Sequence, residues 1–201
     1  LPTLVNNVET LYWVPQILKK GASWFGAQGK GDGTGLRSYS VSGRVRKPGV
    51  KLVSAGSTAE ELIVHAGGML EGHKFSGYLP GGASGGVLPA SMANLPLDFG
   101  KLEQYGCLVG SHAVVIFSDQ DDPKAIALNL MQFFEDESCG QCTPCRSGTE
   151  KAARLMEKDA WDTEALKDLA TVMADASICG LGQAAPNPLL SVLKYFPENA
   201  E

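Results

Sequence analysis

No stretch of this sequence is apolar over the length needed to cross a bilayer, so any contact with a membrane has to come through a partner and not by direct insertion. Basic charge is in short supply: 17 Lys and Arg against 22 Asp and Glu leave a net charge of −5 at pH 7. That balance argues against nucleic acid as a partner. Histidine is scarce, and its three copies, His65, His73 and His112, are scattered and suggest no shared chemistry. A secretion signal is missing, which argues against an oxidising compartment and makes the cytoplasm the expected location. Internal repeats and low-complexity segments are absent as well. The sequence begins Leu1-Pro2-Thr3 and reads as a piece of a longer chain. At 201 residues and 44% apolar content, it has room for one large or two small domains with packed cores.

Cysteine is also infrequent, but four of its five copies are grouped. Cys139, Cys142 and Cys145 lie two residues apart in Glu137-Ser138-Cys139-Gly140-Gln141-Cys142-Thr143-Pro144-Cys145-Arg146. Cys179 follows much later, in Ser177-Ile178-Cys179-Gly180-Leu181-Gly182. A [4Fe–4S] cluster takes four thiolates, and Cys-x2-Cys-x2-Cys with one remote cysteine is a pattern that supplies them. The two-residue gaps let a tight turn aim successive sulfurs at one centre. The remote ligand then ties two parts of the fold together. Two rivals remain for these cysteines. Zinc also accepts four thiolates, but its structural sites more often come as two separated pairs. Disulfide chemistry lacks the compartment that favours it. Gly140 and Gly180 let backbone amides approach inorganic sulfides, where hydrogen bonds tune the cluster potential. Cys107 stands alone among apolar residues and reads as a small buried side chain.

The rest of the chain falls into order around this motif. Asn6 is placed to cap a helix, with Glu9 completing a capping box, Leu11, Val14 and Leu18 on one face, and Pro15 as a kink. The free amides at that helix start suit an anion such as a phosphate. Gly21–Gly35 is a loop or linker by its glycine content, with Trp24 and Phe25 as anchors. Residues 36–121 read as a small α+β unit. Strands are expected at 38–45, 50–53, 76–79 and 112–117, with a helix from Thr58 to His65 ended by Gly67-Gly68. Strand, strand, helix, further strands is the order of a ubiquitin-like β-grasp. The glycine-rich loop at 80–86 lacks the Lys-Ser/Thr ending of a P-loop and reads as facing a partner or another domain.

Residues 122–201 read as four amphipathic helices forming a bundle. The first starts after Asp122, with Ile126, Leu130, Phe133 and Phe134 inward. The second runs from Ser147 to Glu157, with Ala152, Leu155 and Met156 inward. The third starts at Asp162, with Leu166, Leu169, Met173 and Ala176 inward. The fourth starts after Asn187, with Leu189, Val192, Leu193 and Phe196 inward. Both cysteine segments fall at helix junctions, so the cluster is expected at one end of the bundle. The fold class is therefore α+β: a β-grasp unit followed by an all-α four-helix bundle carrying an iron–sulfur cluster.

Three motifs carry a family resemblance: Pro2-Thr3-Leu4-Val5-Asn6-Asn7-Val8-Glu9-Thr10, the segment Glu137–Arg146, and Cys179-Gly180-Leu181-Gly182. The chain resembles the NADH-binding flavoprotein subunit of NADH–quinone oxidoreductase (complex I) and its soluble relatives. Gly81–Pro89, Val114–Asp121 and Gly182–Pro188 are most similar to the β subunit of NAD-dependent formate dehydrogenases. The resemblance implies the end of an FMN-binding domain plus linker in 1–35, an SLBB-type β-grasp in 36–121 and a four-helix [4Fe–4S] domain in 122–201. It implies that Cys139, Cys142, Cys145 and Cys179 hold the cluster. It carries FMN contacts onto Val5, Asn6, Asn7, Thr10, Gly180 and Leu181, and implies NAD in the whole flavoprotein. Its partners are then a [2Fe–2S] subunit and an iron–sulfur-rich catalytic subunit. The glycine-rich flavin and NADH segment of that family is missing, so this chain alone is expected to be inactive. Complex I, an NAD-reducing hydrogenase and a zinc-stabilised interaction module remain as the other readings.

Overall fold

The computed structural model describes residues 1–197. The last four positions of the expected helical region, 198–201, lie outside the described residues.

The chain opens with helix α1 (Val8–Lys20) and a short helix α2 (Ala22–Gly26). Strands β1 (Leu36–Gly43) and β2 (Gly49–Ser54) form an antiparallel hairpin in which Leu36 faces Ser54 and Val41 faces Gly49. Helix α3 (Ala59–His65) follows, and strands β3 (Phe75–Leu79), β4 (Leu88–Pro89) and β5 (Ala113–Ser118) complete a sheet of order β2-β1-β5-β3-β4. The first and last of the long strands, β1 and β5, pair in parallel at its centre. That order and the single helix after the hairpin make the unit a β-grasp. Thr58 caps α3 through a full capping box with Glu61, which satisfies two backbone donors at the helix start. Tyr39, Leu62, Tyr78, Leu97, Leu102 and Ile116 are fully buried between the sheet and its crossing segments. β4 has only two residues, too short to show any alternation, and escapes a sequence reading.

The helical part consists of α4 (Pro123–Asp136), α5 (Thr143–Met156), α6 (Thr163–Ala176), a short α7 (Gly180–Ala184) and α8 (Asn187–Tyr195). Asp122 caps α4 and Asp162 caps α6, each side chain accepting a backbone N–H. Met131, Ala152, Leu166, Met173, Leu189 and Val192 are buried in the shared core. Each large side chain there contributes about 1.5–3 kcal/mol by leaving water. Four helices are long, as expected, and α7 is an addition. α5 starts four residues before the expected Ser147, because Cys142 occupies its N-cap position and Pro144 suits the first turn. Phe133 and Ala176, expected to face inward, are exposed.

The N-terminal helix corrects the sequence reading in three ways. Its cap is Asn7, not Asn6: the Asn7 Oδ1 accepts the Thr10 amide at 2.9 Å. Position N3 is therefore Thr10, so Glu9 cannot close a capping box. It accepts the Ser38 amide of β1 at 2.8 Å instead. That contact and the packing of Trp13 on Phe25, 5.2 Å between ring centres, turn Glu9, Trp13 and Ile17 inward. Leu11, Val14 and Leu18 are left exposed. The helix runs on through Pro15. Gly21–Gly35 contains α2 as well as loop, and is tied to the sheet unit by Lys30–Glu61 and Asp32–Lys101 ion pairs.

The loop at 80–86 faces the helices. Its Ser84 carbonyl accepts the Asn187 side-chain amide at 2.9 Å, and the Val87 amide donates to Ser191 Oγ at 2.8 Å. Leu79 and Val87 belong to the helical core rather than to the core of the sheet. Gly81 is obligatory here, since an added Cβ would fall 1.7 Å from the Val109 carbonyl oxygen.

Asp121 secures the passage from β5 to α4. Arg44 donates to both of its carboxylate oxygens, and the Ser118 amide adds a third donor at 2.9 Å. The Arg44 guanidinium, helped by that amide, pulls the Asp121 carboxyl from an ordinary 3.8 down to about 2. The folded pKa lies below the unfolded one, so the contribution is complete above about pH 4 and disappears as the pH falls through 2. A shift of that size corresponds to at most about 2.5 kcal/mol, and exposure of the Arg44 side chain reduces it to about 1 kcal/mol. Asp121→Asn is expected to lose that amount in urea unfolding at pH 7 and to recover most of the difference from the parent protein at pH 2. An equal penalty at both pH values would rule out the ionic origin.

Candidate metal centre

Two segments build the site. The first joins α4 to α5. Gly140 turns the chain with φ +72°, and its carbonyl accepts Arg146 Nη1 at 2.5 Å. Cys142 is the N-cap of α5, and Cys145 lies in the first turn of that helix. The Thr149 hydroxyl donates to the Cys145 carbonyl at 2.8 Å. The second segment joins α6 to α7: Ser177 ends α6, and Cys179 is extended and caps α7. Neither Cys142 nor Cys179 forms a side-chain cap hydrogen bond with its helix. Cys145 is buried, Cys142 half-buried, and Cys139 and Cys179 are exposed.

The two segments meet at Cys142. The backbone amides of Ile178 and Cys145 lie near its sulfur and hold its thiol below the ordinary cysteine range. Ile178 belongs to the remote segment, so the two halves meet here. Gly182 lets α7 lie against α5: a Cβ there would sit 2.5 Å from Ser177 Oγ and 2.8 Å from Cys145 Cβ. The Ser177 hydroxyl is buried without a hydrogen-bond partner. It faces the Cys142 sulfur, short of hydrogen-bond geometry. An acceptor sulfur beside it would satisfy a donor that is costly to bury alone.

Among the described residues, no three His, Cys, Asp or Glu side chains converge as ligands of one metal ion. A single zinc holds its thiolates about 2.3 Å from one atom. A four-iron cube takes each thiolate at a separate corner. Cys139, Cys142 and Cys145 belong to the first segment and Cys179 to the second. The donors are soft, and the amides and hydroxyl around them suit sulfur acceptors, so the residues fit an iron–sulfur cluster.

Residues 125–201 match the family model described as the NADH-ubiquinone oxidoreductase-F iron-sulfur binding region. They belong to that iron–sulfur binding family. Across its length the chain is similar to oxidoreductase-F chains. It is 37% identical to the second F chain of the NADH-quinone oxidoreductase of Rhizobium meliloti (strain 1021), covering 97% of this chain and 48% of that protein. It is 32% identical to the HndC chain of the NADP-reducing hydrogenase of Solidesulfovibrio fructosivorans, over 100% of this chain and 42% of that one. The crystal structure of an NAD+-reducing [NiFe]-hydrogenase in the H2-reduced state superposes with a TM-score of 0.87 at 36% identity. That match covers 100% of this chain and 35% of the hydrogenase chain. The chain thus spans about half the length of the curated relatives it matches.

The residues expected to contact a flavin fall in two places. Val5, Asn6 and Asn7 are exposed at the start of α1, and the Asn7 oxygen is occupied by its cap. Thr10 is exposed and also donates its hydroxyl to that oxygen, at 3.3 Å. Gly180 and Leu181 form the first turn of α7. The two expected flavin sets therefore lie on separate elements, α1 beside β1 and α7 between α5 and α6. Cys107 is buried, its thiol pushed up to about 12 by desolvation, and takes no part in the centre. Ser138, Arg146, Ser177 and Gly182 all sit within recognisable motifs, but only the fold reveals what each touches. No helix among the described residues is long and apolar enough to cross a membrane.

Proposed function

We propose that Cys139, Cys142, Cys145 and Cys179 hold a [4Fe–4S] cluster that relays electrons within an NADH dehydrogenase-type flavoprotein. The observation that carries this reading is the close approach of the two cysteine segments, where Gly182 of α7 packs against Cys145 of α5 and Ile178 lies beside Cys142. Bound there, the cluster supplies one-electron transfer. The chain's own residues fix its thiolates at the starts of α5 and α7 and surround them with N–H and O–H donors. The family match at 125–201 supports iron over the zinc-stabilised interaction module.

In the whole flavoprotein, Val5, Asn6, Asn7, Thr10, Gly180 and Leu181 contact FMN, which exchanges a hydride with NAD(H). The division into a flavin-domain end (1–35), a β-grasp (36–121) and a cluster domain (122–201) belongs to the same reading. So do a cytoplasmic location and partnership with a [2Fe–2S] subunit and an iron–sulfur-rich catalytic subunit. The named relatives are quinone-reductase and hydrogenase chains, which support complex I or an NAD-reducing hydrogenase above formate dehydrogenase as the parent. The formate dehydrogenase reading rests on sequence similarity at 81–89, 114–121 and 182–188 alone.

The test is direct. Purified anaerobically, the 201-residue chain is expected to be brown, to contain iron and acid-labile sulfide, and to retain neither FMN nor NADH–ferricyanide activity. Binding sites enclose roughly 70–90% of such a ligand, and the α1 residues offered here lie open on one edge. Joined to the N-terminal half that its relatives possess, the same chain is expected to gain both. A colourless zinc protein would overturn the cluster, and flavin-dependent turnover by the short chain would overturn the placement of the active site.

A further inference from the structure

We propose that Ser138 donates its hydroxyl hydrogen to the Cys145 sulfur of the bound cluster and thereby raises the cluster's reduction potential. This rests on the reading of Cys145 as a ligand. Ser138 Oγ lies 3.3 Å from Cys145 Sγ. The same oxygen accepts the Gly140 amide at 3.3 Å. A hydroxyl has one hydrogen to give, and a metal-bound thiolate has none. With an N–H already directed into its oxygen, Ser138 sends its own hydrogen to the sulfur.

The geometry around the pair is restrained on both sides. Cys145 is buried in the first turn of α5, with its carbonyl held by Thr149. Gly140 stands in a left-handed conformation, and Arg146 grips its carbonyl. The Ser138 amide donates to the Glu135 carbonyl at the end of α4. The hydroxyl is half-buried, so water competes poorly for it. Reduction places an additional negative charge on the cluster and its sulfurs. A donor aimed at one sulfur stabilises the reduced form more than the oxidised one, which moves the potential upward.

The experiment is an EPR-monitored redox titration of anaerobically purified protein, comparing the parent with Ser138→Ala and Ser138→Thr. Ser138→Ala is expected to shift the oxidised-to-reduced ratio at fixed potential by about three- to tenfold toward oxidised, tenfold being 59 mV for one electron. Ser138→Thr keeps the hydroxyl and is expected to stay near the parent. An unchanged midpoint in Ser138→Ala overturns the proposal. Should Ser138→Ala fail to hold iron, Ser138→Thr decides: a cluster at the parent potential supports the hydroxyl, and loss of iron there too overturns it. Cys145→Ser, assayed for iron alongside, separates the two readings. Full iron in that variant defeats the ligand assignment. Lost iron there, with an unmoved Ser138→Ala midpoint, defeats the hydrogen bond alone.

Discussion

Cys142→Ser is expected to strip the protein of its cluster, leaving iron and acid-labile sulfide at about a tenth of the parent level or less. Three properties of the position make the loss large. Serine offers a hard, weakly acidic hydroxyl in place of a soft thiolate that iron prefers. The C–O bond is shorter than C–S, so the oxygen stops short of the place where the sulfur reaches. Most of all, Cys142 is where the two cysteine segments touch. Its sulfur lies beside the amides of Ile178 and Cys145, and an oxygen in a different position loses that environment. Losing this ligand therefore also loosens the hold on Cys179. Cys107→Ser is the control. Cys107 lies buried beside Gly86 and away from the centre, and its replacement should leave both assays unchanged. Full iron and sulfide in Cys142→Ser would remove it from the ligand set.

Removal of the cluster is expected to release the two cysteine segments while the sheet stays folded. The binding free energy of a metal centre held between loops is part of the folding free energy of those loops. Cys139 and Cys179 are exposed, and little apolar burial holds their segments once the cluster is gone. Amides at 138–146 and 177–183 should exchange at least about a hundredfold faster in the apo protein, equivalent to roughly 2.7 kcal/mol of local stability. β1, β5 and α3 enclose a core of their own and should keep their protection. The prediction for α8 separates two views of the chain. Taken as part of an independent bundle, α8 should loosen with the other helices. In the structure it is fastened to the sheet unit by Ser191 to Val87, Asn187 to Ser84 and Tyr195 to the Tyr105 carbonyl. α8 should therefore stay protected. Hydrogen exchange on apo and holo protein decides this, and equal loss in β5 and in 138–146 would show a single cooperative unit.

The sequence by itself determined the elements whose causes are local. The alternation around Tyr39 and Val41 makes β1, Thr58 with Glu61 starts α3, and Asp122 with Pro123 starts α4, each through bonds between near neighbours. The cysteine spacing pointed to an iron–sulfur centre for the same reason, because three of the four candidate ligands share one turn. Tertiary structure decided whatever depends on contacts between distant residues. Glu9 looks like half of a capping box, but with Asn7 as cap it instead serves β1, 29 residues away. Leu11 and Leu18 look like a core stripe, but Trp13 on Phe25 sets the rotation of α1 and leaves them exposed. The loop at 80–86 takes its shape from α8 and from the Val109 backbone. At the metal centre, only the fold could bring Ile178 to Cys142 and show that Gly182 is the gap that admits α7. These are long-range packing relations, and no periodicity or spacing along the chain encodes them.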